Sequence, residues 1–572
     1  MLSKFHGPAA VTTLAVGAAL LVGGCGGRPE TSASSATETP PASSIQINAQ
    51  PRDRLRDGGT FTWPLDQLPP NYNLNELDGT QLDNFYVSYA LMPVAFEVNG
   101  AATPIWSRNY LASEPMLVTA PKQVVTYEIN PQAVWDDGTP ITWEDFYWQW
   151  RASNGTNSAY KISSASGYEA IESVERGKDD REVIVTFARP FADWQNLFVP
   201  FYPASTNKDP RVFNDGWAAA PIATAGPFKL AGVNQTTKTL TLVRNEKWWG
   251  APAKLGSIVF RAILPDAQID ALANGEIDAM DVGPDANKYH RAIAIEGVEI
   301  RTAGGPNFRH LTINGTSPNV SDVRVRRALA MGIDRAAIAR AMLGPLGIDA
   351  KPLDNHIFMT NQEGYRDNSG EVGKYAPDKA RELLDEAGWK LAGGVRMKDG
   401  KPLEINAVIP SGVQTSRQEM ELVQNMLAQI GVTVKINTVP SDDYFDKYIT
   451  PGQFDFTVFS WVGTPFPISS AKSIYAKPTQ GPDGRLDIQQ NYSRIGSDQI
   501  DALFEQANAE FDRAKAEEIA NEIDALLWQE VHSLTLYQRP ELIAVKRDLA
   551  NFGAFGFATP WPYQDIGWEA SP

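Results

Sequence analysis

One cysteine, Cys25, serves a chain of 572 residues, so no disulfide can staple any part of the fold and buried apolar surface has to hold it together. Single hydrophobic cores stop growing near about 250–300 residues, and a chain of this length therefore divides into lobes with a cleft between them. The cysteine stands directly behind an apolar run. Lys4 supplies a positive end, residues 9–22 a short apolar core that is too brief to span a bilayer comfortably, and Gly23 and Gly24 the small residues of a cleavage site. This pattern predicts a secretory signal over residues 1–24 and makes Cys25 the attachment point of a lipid anchor. The rest of the chain is then expected on the outer face of the cytoplasmic membrane, in the cell envelope or periplasmic space.

Residues 25–56 are rich in Gly, Ser, Thr and Pro, a composition that cannot bury enough apolar surface to offset ordering entropy, and they read as a flexible tether. A coil of that length has a mean span of roughly 30 Å. The globular part is expected to begin near Gly58. The whole chain's 68 acidic and 51 basic residues give a net charge of -17, which disfavours nucleic acid and anionic lipid as partners. The 15 tryptophans supply a large core and the wall of a pocket for an extended guest.

Period-two alternation at Val125, Tyr127 and Ile129, and at Val183, Val185 and Phe187, predicts strands in the first half. Ala380, Leu383, Leu384 and Ala387 fall on one helical face between Pro377 and Gly388, a start and a stop. An extended run at 404–409, a helix carrying Leu422, Val423, Met426, Leu427 and Ile430 with Gly431 as its end, and a strand at 432–438 form a βαβ unit, hence an α/β lobe. A strand at 454–461 follows. Two amphipathic helices carry Ile500, Leu503, Phe504, Ala507 and Phe511, then Ile519, Ile523, Leu526 and Leu527.

Five histidines without helical zinc spacing argue against a metal site, and no G-x-S-x-G elbow, phosphate loop or dinucleotide fingerprint is present, so no cofactor is expected. A carboxylate-based hydrolase is the enzymatic alternative, built from Asp136, Asp137, Glu144 and Asp145 among Trp135, Trp143, Trp148 and Trp150. The same residues read more fully as structure: a turn at 136–140, and a capping box at Thr142 that opens a helix.

The stretch AVWDDGTPITWED at 133–145 closely resembles a signature of the extracellular solute-binding proteins, family 5, the peptide receptors of ABC importers. The resemblance continues in order through AGPFK at 225–229, LVRNEKWWG at 242–250, NGEID at 274–278, DVRVRRAL at 322–329 and LLDEAGW at 383–389. PLDNH at 352–356 and GYRDNSG at 364–370 resemble actinobacterial oligopeptide-binding lipoproteins. The resemblance implies an α/β, two-lobed periplasmic-binding-protein type II fold (cluster C) with a two-segment hinge. Lobe I would comprise 57–90, 222–306 and 535–572, an inserted subdomain 91–221, and lobe II 307–534. It also implies a monomeric, non-enzymatic receptor that closes on oligopeptides and delivers them to permease subunits with cytoplasmic ATPases. Oligosaccharide, metal complex or haem is the alternative cargo on the same fold.

Two segments match cleft-lining segments of that family: Asp78, Gly79 and Thr80, and then Trp461, Val462, Gly463 and Thr464, with Phe466 and His356 as further candidates for the cleft wall. Peptide receptors of the family carry aspartate where this chain has Thr464, and that carboxylate holds the ligand's ammonium group. A hydrogen bond to an ion contributes about 1.5–3 kcal/mol against about 1 for a neutral one, so threonine would weaken free-amine recognition by about tenfold. Either Asp78 makes the ammonium contact, or the ligand has no free amine there.

Overall fold

The computed structural model describes residues 44–480, 484, 486–558 and 563–570. The expected signal, Cys25 and the first part of the tether lie outside the described residues. The remainder of the tether packs onto the body, which begins well before Gly58. Gln46 exchanges backbone hydrogen bonds of 2.9 and 3.0 Å with Ala554, and Leu55, 4% exposed, bridges to Glu569. Composition missed this strap because backbone pairing with the 549–569 segment orders it together with burial of only Leu55 and Ile47.

In lobe I, Thr60–Leu65 runs parallel to Ser257–Ala262, which continues antiparallel into Thr239–Arg244 and Phe228–Asn234. A smaller sheet places Glu541–Lys546 between Ala279–Asp281 and Val298–Ala303. The chain leaves this scaffold after the Leu82–Leu91 helix and returns where Ala225 N–H donates to Leu91 O at 2.8 Å. The intervening segment builds a second antiparallel sheet containing Val124–Glu128 and Glu182–Phe187, as the alternation predicts, although Ile129 only bridges to Leu111. This insert shares one continuous apolar cluster with lobe I: Phe61, Trp63 and Leu242 belong to it together with Tyr127, Phe146 and Phe198. The insert is thus welded to lobe I by core burial.

Lobe II is built on a five-stranded sheet ordered Thr433–Val439, Glu404–Pro410, Phe456–Trp461, Phe308–Ile313, Ser533–Gln538. Its first two strands are parallel and flank the Gln414–Ala428 helix in sequence, the βαβ unit read from the apolar pattern. Pro377–Glu386, Asp498–Ala509 and Arg513–Glu530 are the other expected helices; Phe511 falls in the break between the last two and is exposed. The chain passes between the two sheets through 304–307 and 539–540, so the lobe boundary expected at 534/535 falls inside the Ser533–Gln538 strand, whose pairing with Phe308–Ile313 keeps it in lobe II.

The lobes are closed on each other. On one side Asp266 N–H donates to Gly412 O at 3.2 Å and Gln414 N–H to Asp266 Oδ1 at 3.1 Å; on the other the insert meets the helices of lobe II. Among the described residues no helix is long and apolar enough to cross a membrane.

Candidate functional site

The first predicted segment sits in the loop between the Thr60–Leu65 strand and the Leu82–Leu91 helix, and a buried carboxyl shapes it. Glu76 Oε2 accepts the backbone N–H groups of Asp78 at 2.8 Å and Gly79 at 3.1 Å. Its other oxygen, Oε1, is buried without a hydrogen-bond partner. Burial, followed by the charge of Asp78, pushes the Glu76 carboxyl up to about 8, which favours its neutral form below that pH. Gly79 is required by space: a Cβ there would lie 2.1 Å from Asn73 O. Asp78 and Thr80 are half-buried, and Leu77 N–H donates to Lys161 O at 3.0 Å, which sets a lysine of the insert beside the acidic turn. Burial raises the Asp78 carboxyl and the Lys161 ammonium partly offsets this.

The second segment ends the Phe456–Trp461 strand of lobe II. Trp461 stacks on His310 (5.4 Å between centroids, 14°) and on Tyr492 (5.8 Å, 3°), with Phe459 edge-on at 5.1 Å. Tyr492 in turn packs on Phe445 at 6.0 Å. Trp461 therefore belongs to an aromatic floor while remaining half-buried. Gly463 passes against the crossing segment, where an added Cβ would meet Pro306 O at 2.4 Å. Thr464 Oγ1 lies 2.6 Å from Ser470 Oγ and accepts Phe466 N–H at 3.1 Å, so its hydroxyl is spent on starting the Pro467–Tyr475 helix. Val462 and Phe466 are half-buried along the same run.

His356 is not on a cleft wall. Its side chain has no exposed surface; Nδ1 lies 2.7 Å from Asp524 Oδ1 and Nε2 lies 3.1 Å from Ser533 O, while the ring packs on Trp528 and Tyr475. Both nitrogens are used inside lobe II, which leaves none for a guest. Tertiary burial of an Asp–His pair across 168 residues has no local sequence signal.

The structure brings the two segments toward each other through Ser163 of the insert. Its N–H donates to Asn75 O at 2.9 Å, and its carbonyl accepts Gln490 Nε2 at 3.5 Å, two residues from Tyr492. Asp78 acts electrostatically on both Tyr492 and Asp446 of lobe II: burial first, then Asp78, raises each of them. Asp446 lies in the π-helical turn Tyr444–Ile449, a geometry frequent at functional positions. Sequence reasoning missed Glu76 and Lys161, whose burial and pairing are set by the packing of the insert on lobe I, and Asp446 and Tyr492, which come near Asp78 only on closure.

Deeper toward the crossing strands lies a second acidic patch. Asp83 accepts Asp66 N–H at 3.3 Å and Gln67 N–H at 3.1 Å, and Asp66 accepts Gln268 Nε2 at 2.9 Å. Asp66 is exposed, yet desolvation by the surrounding protein raises its carboxyl; Arg539, paired with Asp281 at 2.8 Å, opposes that shift.

The tryptophan-acid patch is occupied by structure. Thr142 caps the Trp143–Ser153 helix with Asp145 as its reciprocal partner, and Asp145 also accepts Ala204 N–H at 2.7 Å. Asp137 closes its turn through Thr139 N–H at 2.8 Å, and Glu144 pairs with Lys208 at 3.2 Å. Among the described residues no group of three or more His, Cys, Asp or Glu could hold a metal ion.

Residues 108–482 match the family described as bacterial extracellular solute-binding proteins, family 5 Middle. The chain is 41% identical over 516 residues to the oligopeptide-binding protein OppA of Mycobacterium tuberculosis, covering 90% of this chain and 85% of that one. Among solved structures, the periplasmic EDTA-binding protein EppA superposes with a TM-score of 0.80 at 25% identity, over 92% of this chain and 98% of the other. The oligopeptide-binding protein AppA of Bacillus subtilis, solved with a nonapeptide, gives a TM-score of 0.80 at 20% identity over 90% and 100%, a likeness of fold. A match across both lobes and the insert leaves one assignment: the chain belongs to the bacterial extracellular solute-binding proteins, family 5.

Proposed function

We propose that this protein is the substrate-binding component of an ABC importer, taking up oligopeptides between its lobes and handing them to a membrane permease driven by cytoplasmic ATPases. The observation that carries this reading is the 41% identity to an oligopeptide-binding protein over most of both chains. A closed form buries the guest from both sides and presents the permease with a surface distinct from the open one. An extended peptide satisfies its main chain as an added strand would, which makes capture tolerant of sequence. Asp78, Gly79 and Thr80 line the lobe I side, and Trp461, Val462, Gly463, Thr464 and Phe466 the lobe II side. Since the Thr464 hydroxyl is already engaged, the ligand's ammonium group is assigned to Asp78, with Asp446 approaching from lobe II. The body acts as a monomer, non-enzymatically, tethered to the outer face of the cytoplasmic membrane by lipid on Cys25.

The test is a thermal-shift and calorimetric screen of protein stripped of cargo by unfolding and refolding, against a nonapeptide pool, oligosaccharides and metal chelates. A ligand at 100 times its Kd stabilises by about 2.7 kcal/mol. Response to peptides alone supports the reading. Response to sugars or chelates alone replaces it with another cargo on the same fold, of which EppA, an EDTA-binding protein, is an example.

A further inference from the structure

The insert and lobe II meet through a closed ring of four alternating charges. Lys472, on the Pro467–Tyr475 helix, contacts both Glu169 of the insert and Glu505 of the Asp498–Ala509 helix. Arg189 of the insert contacts the same two carboxylates, Glu505 at 2.8 Å and Glu169 at 3.5 Å. Each cation thus touches both anions, and each side of the rim contributes one of each sign. Hydrogen bonds flank the ring: Ala192 N–H donates to Asn508 O at 2.7 Å, Ser166 Oγ to Ser469 O at 2.9 Å, and Ser469 donates to the Asp193 carboxylate. Apolar packing stops on either side. The insert side chains belong to the cluster shared with lobe I and the helices to a separate cluster of lobe II.

We propose that this ring is a latch that holds the lobes closed without cargo, with Lys472 as its positioning residue. Three features carry the inference. The ring is neutral as a set, so it forms without an external counter-charge. Lys472 is only 12% exposed, whereas Arg189 is 46% exposed, so one corner is sheltered and the other opens to water and salt. The helix bearing Lys472 follows directly on Thr464 and Phe466, so whatever occupies the cleft beside Trp461 bears on the element that holds the latch. A contact made of hydrogen bonds and partly exposed ion pairs separates and re-forms as a transient interface does, which apolar core would not.

Release of the latch is read directly, with no ligand, so its failure is distinguishable from failure of the peptide reading. In the full chain carrying Cys25→Ser, nitroxides are placed at Glu175→Cys on the insert and Glu522→Cys on lobe II, both exposed. Cargo-free protein in low salt is expected to give a dominant short distance population beside a minor long one. Lys472→Met is expected to lower the closed-to-open ratio about fivefold, as does 1 M NaCl on the unsubstituted ring, and the variant's salt response is expected to shrink to the part carried by Arg189 and the two carboxylates. Glu505→Gln, which keeps the apolar stem, serves as the second variant and should behave the same way. Distance distributions of both variants that match the unsubstituted protein, with the same salt dependence, overturn the proposal. So does a cargo-free protein that is fully open in low salt.

Discussion

Glu76→Gln is expected to stabilise the protein above neutral pH and to leave it nearly unchanged at pH 5. The glutamine oxygen can accept the Asp78 and Gly79 N–H groups as Oε2 does, and the new amide stands where the neutral acid keeps its unpartnered atom. Folding raises this carboxyl from 4.5 to about 8. The folded state therefore binds more protons than the unfolded one between those values, and this group's contribution to stability falls as pH rises through the window. At about 1.36 kcal/mol per pH unit, the accumulated cost of ionising Glu76 approaches about 5 kcal/mol by pH 9. An unfolding entropy of about 2.1 cal/mol/K per residue over about 520 residues gives about 1.1 kcal/mol/K, so the variant should melt about 4 °C above the parent at pH 9. Calorimetric scans at pH 5, 7 and 9 check this. Asp66, Asp83, Asp145 and Glu541 also carry carboxyls raised by burial, so the difference between the two proteins is the quantity to plot. Melting curves that run parallel across the range would show that Glu76 ionises without cost, and the account of the turn behind Asp78 would fall.

Asp78→Asn should weaken binding of a free-amine nonapeptide by about tenfold or more and leave its N-acetylated form unaffected, measured by calorimetry; equal losses for both peptides would remove Asp78 from the ammonium contact. Because burial raises the Asp78 carboxyl and a bound cation favours its charged form, free-amine affinity should fall as pH drops through that raised value, and the acetylated peptide should show no such dependence. Gly463→Ala should cost about 2 kcal/mol or more in melting experiments, since its Cβ meets Pro306 O at 2.4 Å and backbone has to move. Asp524→Ala strips the buried partner from His356 Nδ1 and should destabilise by about 2–4 kcal/mol with peptide affinity unchanged; a lost affinity in a folded variant would return His356 to the cleft.

Local chemistry was readable in the sequence where spacing alone decides it. The parallel pair Glu404–Pro410 and Thr433–Val439 around one amphipathic helix follows from apolar period and a terminal glycine, as does Pro377–Glu386. The capping box at Thr142 was likewise visible, because its reciprocal bonds join residues three apart. Sequence reading failed where long-range burial sets a residue's state. His356 has the composition of a loop histidine and the partners of a core one. The strap at 44–56 has the composition of a tether and the hydrogen bonds of an edge. Asp446 and Tyr492 meet Asp78 only when two lobes close, and no spacing along the chain encodes that meeting.

The charges at the cleft and at its rim act in opposite directions on closure. At the rim, four alternating groups attract, and closing completes their ring. Beside Trp461, closing brings Asp78 toward Asp446, two acids whose repulsion is among the causes that raise the Asp446 carboxyl. Lys161, held next to Leu77 by its carbonyl, offsets part of that repulsion from the insert side. A cationic group of the guest placed between the acids would remove the rest. The energy of closure then divides between a rim term independent of cargo and a central term that depends on it. Affinity for a free amine should therefore respond to Asp446→Asn with the opposite sign from closure of the empty protein: the substitution weakens peptide binding while shifting the cargo-free distance population toward closed. A variant that moves both in the same direction would mean that Asp446 does not face the guest's charge.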